Sequence, residues 1–303
     1  MTPSRNLRPR QKRTYSSGSW VHVGETAQIS NAVGPSSNRS HIRRSVSSTP
    51  LRDTGAASTR WNERKPIPLS DIVPSDIVIL ILGITGSGMS NFINKLTGVE
   101  EERESRQLVS CTKDVKAYAC VRGRQRFIFV DTPGFNATYM SQRAVFTKTA
   151  EWLQSTYQMS IKLTGVIYMH RITDTYESGT AYQSFRIFSG MCGEKAADRV
   201  RLVTTMWDEE YEQPRSLQME SRLKTEWGSL LNAGASYERF YNTADSAWQI
   251  VNGLGYQRKA LLLQREIVDM GKKMEETTAG MRVPREERKP TGFFDLVKRL
   301  FGF

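Results

Sequence analysis

"LGITGSGMSNFINKLTG", residues 82–98, decides how this chain is read. Gly, four residues, Gly, Lys, then Ser or Thr is the spacing of a phosphate-binding loop between a strand and a helix. Gly83, Gly88 and Ser90 fall in that register, but the lysine position holds Met89. Upstream, "DIVILILG" is a β-branched apolar run of the kind buried on both faces of a sheet. Downstream, Phe92, Ile93 and Leu96 recur at helical spacing. Gly83, Gly86 and Gly88 let the backbone wrap a phosphate closely, with Thr85, Ser87 and Asn91 completing the candidate binding set. The helix N-terminus adds positive potential. Ser90 is placed to ligate Mg²⁺ through its hydroxyl. A glycine-rich turn in some other α/β protein is the competing reading, and four further segments weigh against it.

The first is "FIFVDTPGF", residues 127–135, an apolar strand ending in Asp131, Thr132, Pro133 and Gly134. A carboxylate at a strand's carboxyl end sits at the crevice where α/β sheets bind ligands. Asp131 is therefore a candidate Mg²⁺ holder, the Gly134 N–H a candidate donor to a γ-phosphate, and 135–140 a candidate moving segment. The second, "SCTKDV" at 110–115, offers Thr112, whose hydroxyl suits Mg²⁺ and whose N–H suits the terminal phosphate. In the third, "RLVTTMWDEE" at 201–210, an apolar strand runs out at Thr204 and Thr205. Asp208 just beyond can accept from guanine N1–H and the exocyclic amine, a donor pair that adenine lacks. The fourth, "RFYNTADSAW" at 239–248, is a strand followed by a small-residue loop, where Ser246 and the Ala247 N–H are expected to meet guanine O6. Each segment alone says little. Their order along the chain carries the weight.

Strands alternate here with helices of ten or more residues, which predicts an α/β, doubly wound, mainly parallel sheet. "VKAYACV" and "QRFIFV" flank "RGR" as a hairpin, adding one antiparallel edge strand. Helices are expected from the Ser141 cap, near 178–190, near 212–231 and near Ser246. A longer one, a candidate coiled-coil segment, is expected over 257–276. The layout predicted is a basic Ser/Arg-rich tail at 1–74, a nucleotide-binding domain at 75–255, and a C-terminal helix, tether and amphipathic end at 256–303.

Charge is unevenly distributed. Residues 1–70 hold twelve Lys/Arg against three acids, so they carry nine of the chain's net +12. With no sustained apolar period, this tail cannot offset its ordering entropy and is expected to be disordered. The high overall charge thus belongs to the tail, and no specific nucleic-acid binding is expected of the domain. Three cysteines, Cys111, Cys120 and Cys192, lack metal-ligand spacing and suit a reduced, cytoplasmic setting. No stretch approaches the roughly 20 apolar residues that span a bilayer.

The five segments, in order and on these elements, resemble the G motifs of TRAFAC-class P-loop GTPases. "SCTK", "DTPGF" and above all "TTMWD" resemble the immunity-associated and septin-like branch. Within it, "GVIYMHRITD" at 165–174 is similar to the G-domain proteins widespread in fungi. The likeness spans about residues 75–255. It implies a slowly cycling guanine-nucleotide switch that binds GTP or GDP with Mg²⁺ and works as a homodimer through the G domain. The departures bear on chemistry. Thr205-Met206-Trp207-Asp208 replaces Asn-Lys-x-Asp, although relatives in this branch also begin with Thr, and Met206 can lay an apolar stem over the base. Phe135 stands where many small GTPases keep a water-orienting Gln. Methionine at 89 supplies neither charge nor donor. A hydrogen bond to a charged group is worth roughly 1.5–3 kcal/mol, so triphosphate binding should weaken about tenfold to a few hundredfold. Phosphoryl transfer should suffer more, because charge builds on the phosphates as it proceeds. Lys113 is the candidate substitute cation. Two functions stay open: a slow GTPase switch, and a pseudo-GTPase interaction module with little or no turnover. "TTMWD" argues against an ATP-using kinase or ATPase.

The chain closes on "GFFDLVKRLFGF", residues 292–303. As a helix it gathers Phe293, Phe294, Leu296, Val297, Leu300 and Phe301 on one face, with Asp295, Lys298 and Arg299 opposite. Twelve residues are too few to span a bilayer but suit an interfacial helix or a lid on the domain. Liposome flotation separates the two. Peripheral membrane contact predicts that removing 292–303 abolishes flotation on anionic vesicles and leaves the melting temperature unchanged. No flotation by the full chain, with a lowered melting temperature on truncation, means a lid.

Overall fold

The computed structural model describes residues 65–99, 112–174, 179–207 and 213–285. Strand β1 (Ile77–Gly83) is buried at all seven positions, as a continuous apolar run requires of a strand covered on both faces. It lies inside a six-stranded sheet ordered β2-β3-β1-β4-β5-β6, with β2 Lys116–Arg122, β3 Gln125–Asp131, β4 Gly165–Arg171, β5 Val200–Thr205 and β6 Ser236–Arg239. All neighbouring pairs are parallel except the β2–β3 hairpin, which places the antiparallel strand at the edge, as predicted. The architecture is the expected α/β one, a mainly parallel sheet with one antiparallel edge strand, flanked by helices. Among the described residues, no helix is long and apolar enough to cross a membrane.

The period-2 rule sends alternate β1 side chains into two cores. Val78, Leu80 and Leu82 join the larger core with α2 (Gln142–Gln158), α3 (Gly179–Cys192) and Trp227. Ile77, Ile79 and Ile81 join Met89, Phe92, Ile93 and Leu96 of α1 (Met89–Thr97) and Ile250 and Val251 of α6 (Ala244–Asn252). Burying each such aliphatic side chain contributes about 1.5–3 kcal/mol. Helix α2 starts at the expected cap, where Ser141 Oγ accepts the Ala144 N–H at 3.2 Å.

Two expectations are corrected. The single helix near 212–231 is two, α4 (Pro214–Glu226) and α5 (Gly228–Asn232), because Trp227 turns into the core between them. The long helix over 257–276 is instead one short turn, α7 (Leu262–Gln264), and a π turn over Arg265–Asp269. The chain reverses at Gly271, and the Glu266 carboxylate gathers Lys272 Nζ, Thr278 N and Thr278 Oγ1 at 2.8–2.9 Å. Core contacts also extend past both boundaries of 75–255. Ile67 bridges Ala117 and Ile72 is buried, while Leu261, Leu263, Ala279 and Val283 pack into the larger core. The expected tail up to residue 64 and the amphipathic end at 292–303 lie outside the described residues.

His170, the one histidine among the described residues, ends up buried on β4 beside Asp174 and Trp227. Burial pushes its pKa down from 6.5 to about 4, against a smaller upward pull from Asp174. A depressed folded-state value means the neutral form is favoured by folding. That stability is therefore fully present above pH 6.5 and lost as pH falls toward about 4. Urea denaturation at pH 7, 5.5 and 4.5 should show a declining free energy that flattens in His170→Gln. An equally steep decline in the variant would assign the effect to other groups.

Candidate functional site

The carboxyl ends of β1 and β3 bring the phosphate-loop candidates together. Asp131, the last residue of β3, is buried, and its Oδ2 accepts hydrogen bonds from Ser90 Oγ at 2.9 Å and Thr112 Oγ1 at 3.1 Å. Three side chains singled out for Mg²⁺, from three separate segments, thus meet at one oxygen. Tyr139 Oη donates to the Thr112 carbonyl at 3.1 Å, tying the loop after β3 to the segment before β2.

The loop itself is gripped from both sides. Thr85 N–H donates to the Phe135 carbonyl at 2.8 Å and Phe135 N–H to the Gly83 carbonyl at 2.9 Å. Thr85 Oγ1 also donates to the Gly134 carbonyl at 3.2 Å. A Cβ on Gly134 would stand 2.7 Å from Thr85 Cα, so only glycine permits this approach. From the other side, Thr205 Oγ1 donates to the Ser87 carbonyl at 3.0 Å, linking the third segment to the loop rather than pointing at a base. Helix α1 begins at Met89 with Gly88 as its cap, so its first-turn N–H groups open toward the loop. The candidate moving segment 135–140 is fixed at its start, because Phe135 is fully buried.

Met89 lies with the α1 side chains in the smaller core. Lys113 occupies an exposed position, and its carbonyl accepts from Lys148 Nζ at 3.0 Å. Asn91 Nδ2 donates to Asn242 Oδ1 at 2.8 Å, joining α1 to the loop after β6. In that loop the structure departs from expectation. The Ala247 N–H donates to the Thr243 carbonyl at 3.1 Å inside α6 and is not presented to a base. Ser246 caps the same helix, its N–H donating to Thr243 Oγ1 at 3.1 Å and its Oγ accepting from Thr243 N at 3.4 Å.

Sequence reasoning missed Trp207. It is fully buried, its Nε1 donates to Thr204 Oγ1 at 2.9 Å, and the Arg239 guanidinium covers its ring at 4.1 Å. Arg239 is held in turn by a two-pronged bond to Glu220 at 2.7 and 2.8 Å, which lowers the Glu220 pKa to about 2. Met206 before it takes a positive φ of 66° and turns its methyl toward Gly88. An apolar Trp beside a carboxylate was the available signal. Asp208 lies outside the described residues.

Residues 78–188 match the family described as 50S ribosome-binding GTPase. No curated protein matches the chain. Among solved structures, Toc33 from Arabidopsis thaliana in complex with GDP and Mg²⁺ is 16% identical at a TM-score of 0.46, covering 62% of this chain and 87% of that one. Era from Aquifex aeolicus, bound to GDP.AlF4-, is 14% identical at 0.44, covering 60% and 57%. Likenesses this distant say nothing about function.

Mg²⁺, which the resemblance in sequence implies, fits the residues present. A hard cation of this kind takes oxygen ligands, commonly one or two carboxylates with hydroxyls and phosphates completing the shell. The Ser90, Thr112 and Asp131 oxygens form such a set. Asp131→Asn is expected to abolish the Mg²⁺ dependence of GDP retention, measured with and without chelator. An unchanged dependence would place the cation elsewhere.

Proposed function

We propose that this chain is a guanine-nucleotide-binding G-domain protein with slow or impaired GTP hydrolysis, acting as a switch or scaffold. The convergence of Ser90 and Thr112 on Asp131, beside a loop capping a helix N-terminus, is the observation that carries this reading. The family match over 78–188 supports the nucleotide class. In this reading the loop backbone and the first turn of α1 hold the phosphates, Asp131 and its two hydroxyl partners hold Mg²⁺, and Asp208 selects the base. Bound there, Mg²⁺ neutralises charge on the β- and γ-phosphates. Pairing of two copies through the G domain belongs to the same reading.

Two positions favour the weak-turnover form. Phe135 is fully buried and hydrogen-bonded to the loop through its backbone, so its side chain orients no water. Met89 is packed in the smaller core and brings no charge to the phosphates. A nucleotide-holding module with little turnover is the second reading, resting on these two residues.

Nucleotide titration tests the class. GDP should bind at least about tenfold more tightly than ADP, a difference of about 1.4 kcal/mol. Asp208→Ala should erase that preference. Equal affinity for GDP and ADP in the wild type would remove the guanine reading.

A further inference from the structure

We propose that Arg171 supplies the phosphate-binding charge that position 89 lacks. The inference rests on the phosphate-loop reading above. Arg171 is the last residue of β4, a strand that pairs with β1 through Gly83↔Met169 and with β5 through Arg171↔Thr205. It therefore emerges at the level of the loop, beside the Thr205 hydroxyl that holds Ser87. Its guanidinium lies against Gly86. A Cβ built there would stand 3.1 Å from Arg171 Nη1 and 3.6 Å from Cζ. Gly86 also has a φ of +82°, so backbone and space both call for glycine.

The fork is aimed rather than loose. Asp174 Oδ1 grips Nη2 at 2.6 Å from the far edge. Arg171 Nε is buried with no hydrogen-bond acceptor among the described residues, while the side chain as a whole is 38% exposed. The exposure of the side chain, not the enclosed Nε, is what leaves guanidinium N–H donors open to a ligand at the loop. A planar guanidinium is matched to phosphate oxygens in two-pronged geometry, and it stays charged at any working pH. Position 89, by contrast, contributes only a core methionine. The cation enters from the end of β4 instead of from the start of α1, and Asp174 is its positioning residue.

A merely structural arginine would predict something different. If Arg171 only braced the loop, its loss would lower thermal stability and weaken every nucleotide alike. A phosphate ligand makes the loss scale with the number of phosphates. The full chain, wild type and Arg171→Gln, is titrated with GMP, GDP, GTP and inorganic tripolyphosphate, alongside thermal melts. The expected result is GDP, GTP and tripolyphosphate binding weakened about tenfold to a hundredfold in Arg171→Gln. GMP should change by less than about twofold, with the melting temperature kept. Arg171→Lys should recover part of the loss, because it restores charge without the fork. Unchanged GDP and tripolyphosphate binding in Arg171→Gln overturns the proposal, as does equal loss of GMP and GDP. Tripolyphosphate separates this outcome from the base reading. A wild type that binds tripolyphosphate through Arg171 but prefers no guanine keeps the inference and removes guanine selection. A wild type that binds neither GDP nor tripolyphosphate overturns both.

Discussion

A phosphate-binding loop turns backbone N–H groups outward, and it can hold that shape only if its carbonyls are satisfied from behind. Here they are. The Gly83 carbonyl accepts from Phe135 N, Ile84 from Ser87 N, Ser87 from Thr205 Oγ1 and Gly88 from Phe92 N, all between 2.8 and 3.1 Å. Those donors come from four places: the loop after β3, the loop itself, the end of β5, and α1. Parallel pairing of β3, β1, β4 and β5 brings the strand-end partners to one level, so the sheet order is what makes the loop's shape affordable in hydrogen bonds.

The same requirement explains what could be read from the sequence. Strand β1, the hairpin and the Ser141 cap are local signals: seven apolar residues, an alternating pair around "RGR", a serine ahead of a helical period. Ser90, Thr112 and Asp131 were legible because their chemistry and their order suffice to predict convergence, and they do meet. Ala247 was not, because whether an N–H faces a ligand or closes a helical turn depends on where the cap falls, and the cap is Thr243, ahead of the expected start near Ser246. The helix expected over 257–276 failed for a tertiary reason. Its apolar spacing continues, but Glu266 gains three partners by letting the chain turn back at Gly271. The approach of Arg171 to Gly86 was invisible for a related reason. It joins residues far apart in sequence that only the β1–β4 register makes neighbours.

The 83–88 loop and the ends of β5 and β6 share their supports. Thr205 at the end of β5 bonds the loop, and Asn91 on the loop's helix bonds Asn242 beside α6. Trp207, buried beneath Arg239, fixes the direction in which the chain leaves β5. These bonds tie the 83–88 loop and α1 to the ends of β5 and β6 within a densely packed core, so a shift at one of them is passed to the others.

Beyond α6, the last described stretch crosses the sheet's helical layer as a strap. Gln264 donates to the Leu153 carbonyl of α2 at 3.0 Å, and Arg282 Nη1 reaches the Arg186 carbonyl and Ser189 Oγ of α3 at 2.8 and 2.7 Å. Helix α2 is the one that follows the 132–140 loop. Mechanically, the strap and that helix are in series: tension applied to the chain after residue 285 loads the α3 clasp first, then Gln264, then α2. Load arriving from the carboxyl end is therefore shared between two helices on one face of the sheet, through Arg186 and Ser189 of α3 and through Leu153 in the carboxyl-terminal half of α2.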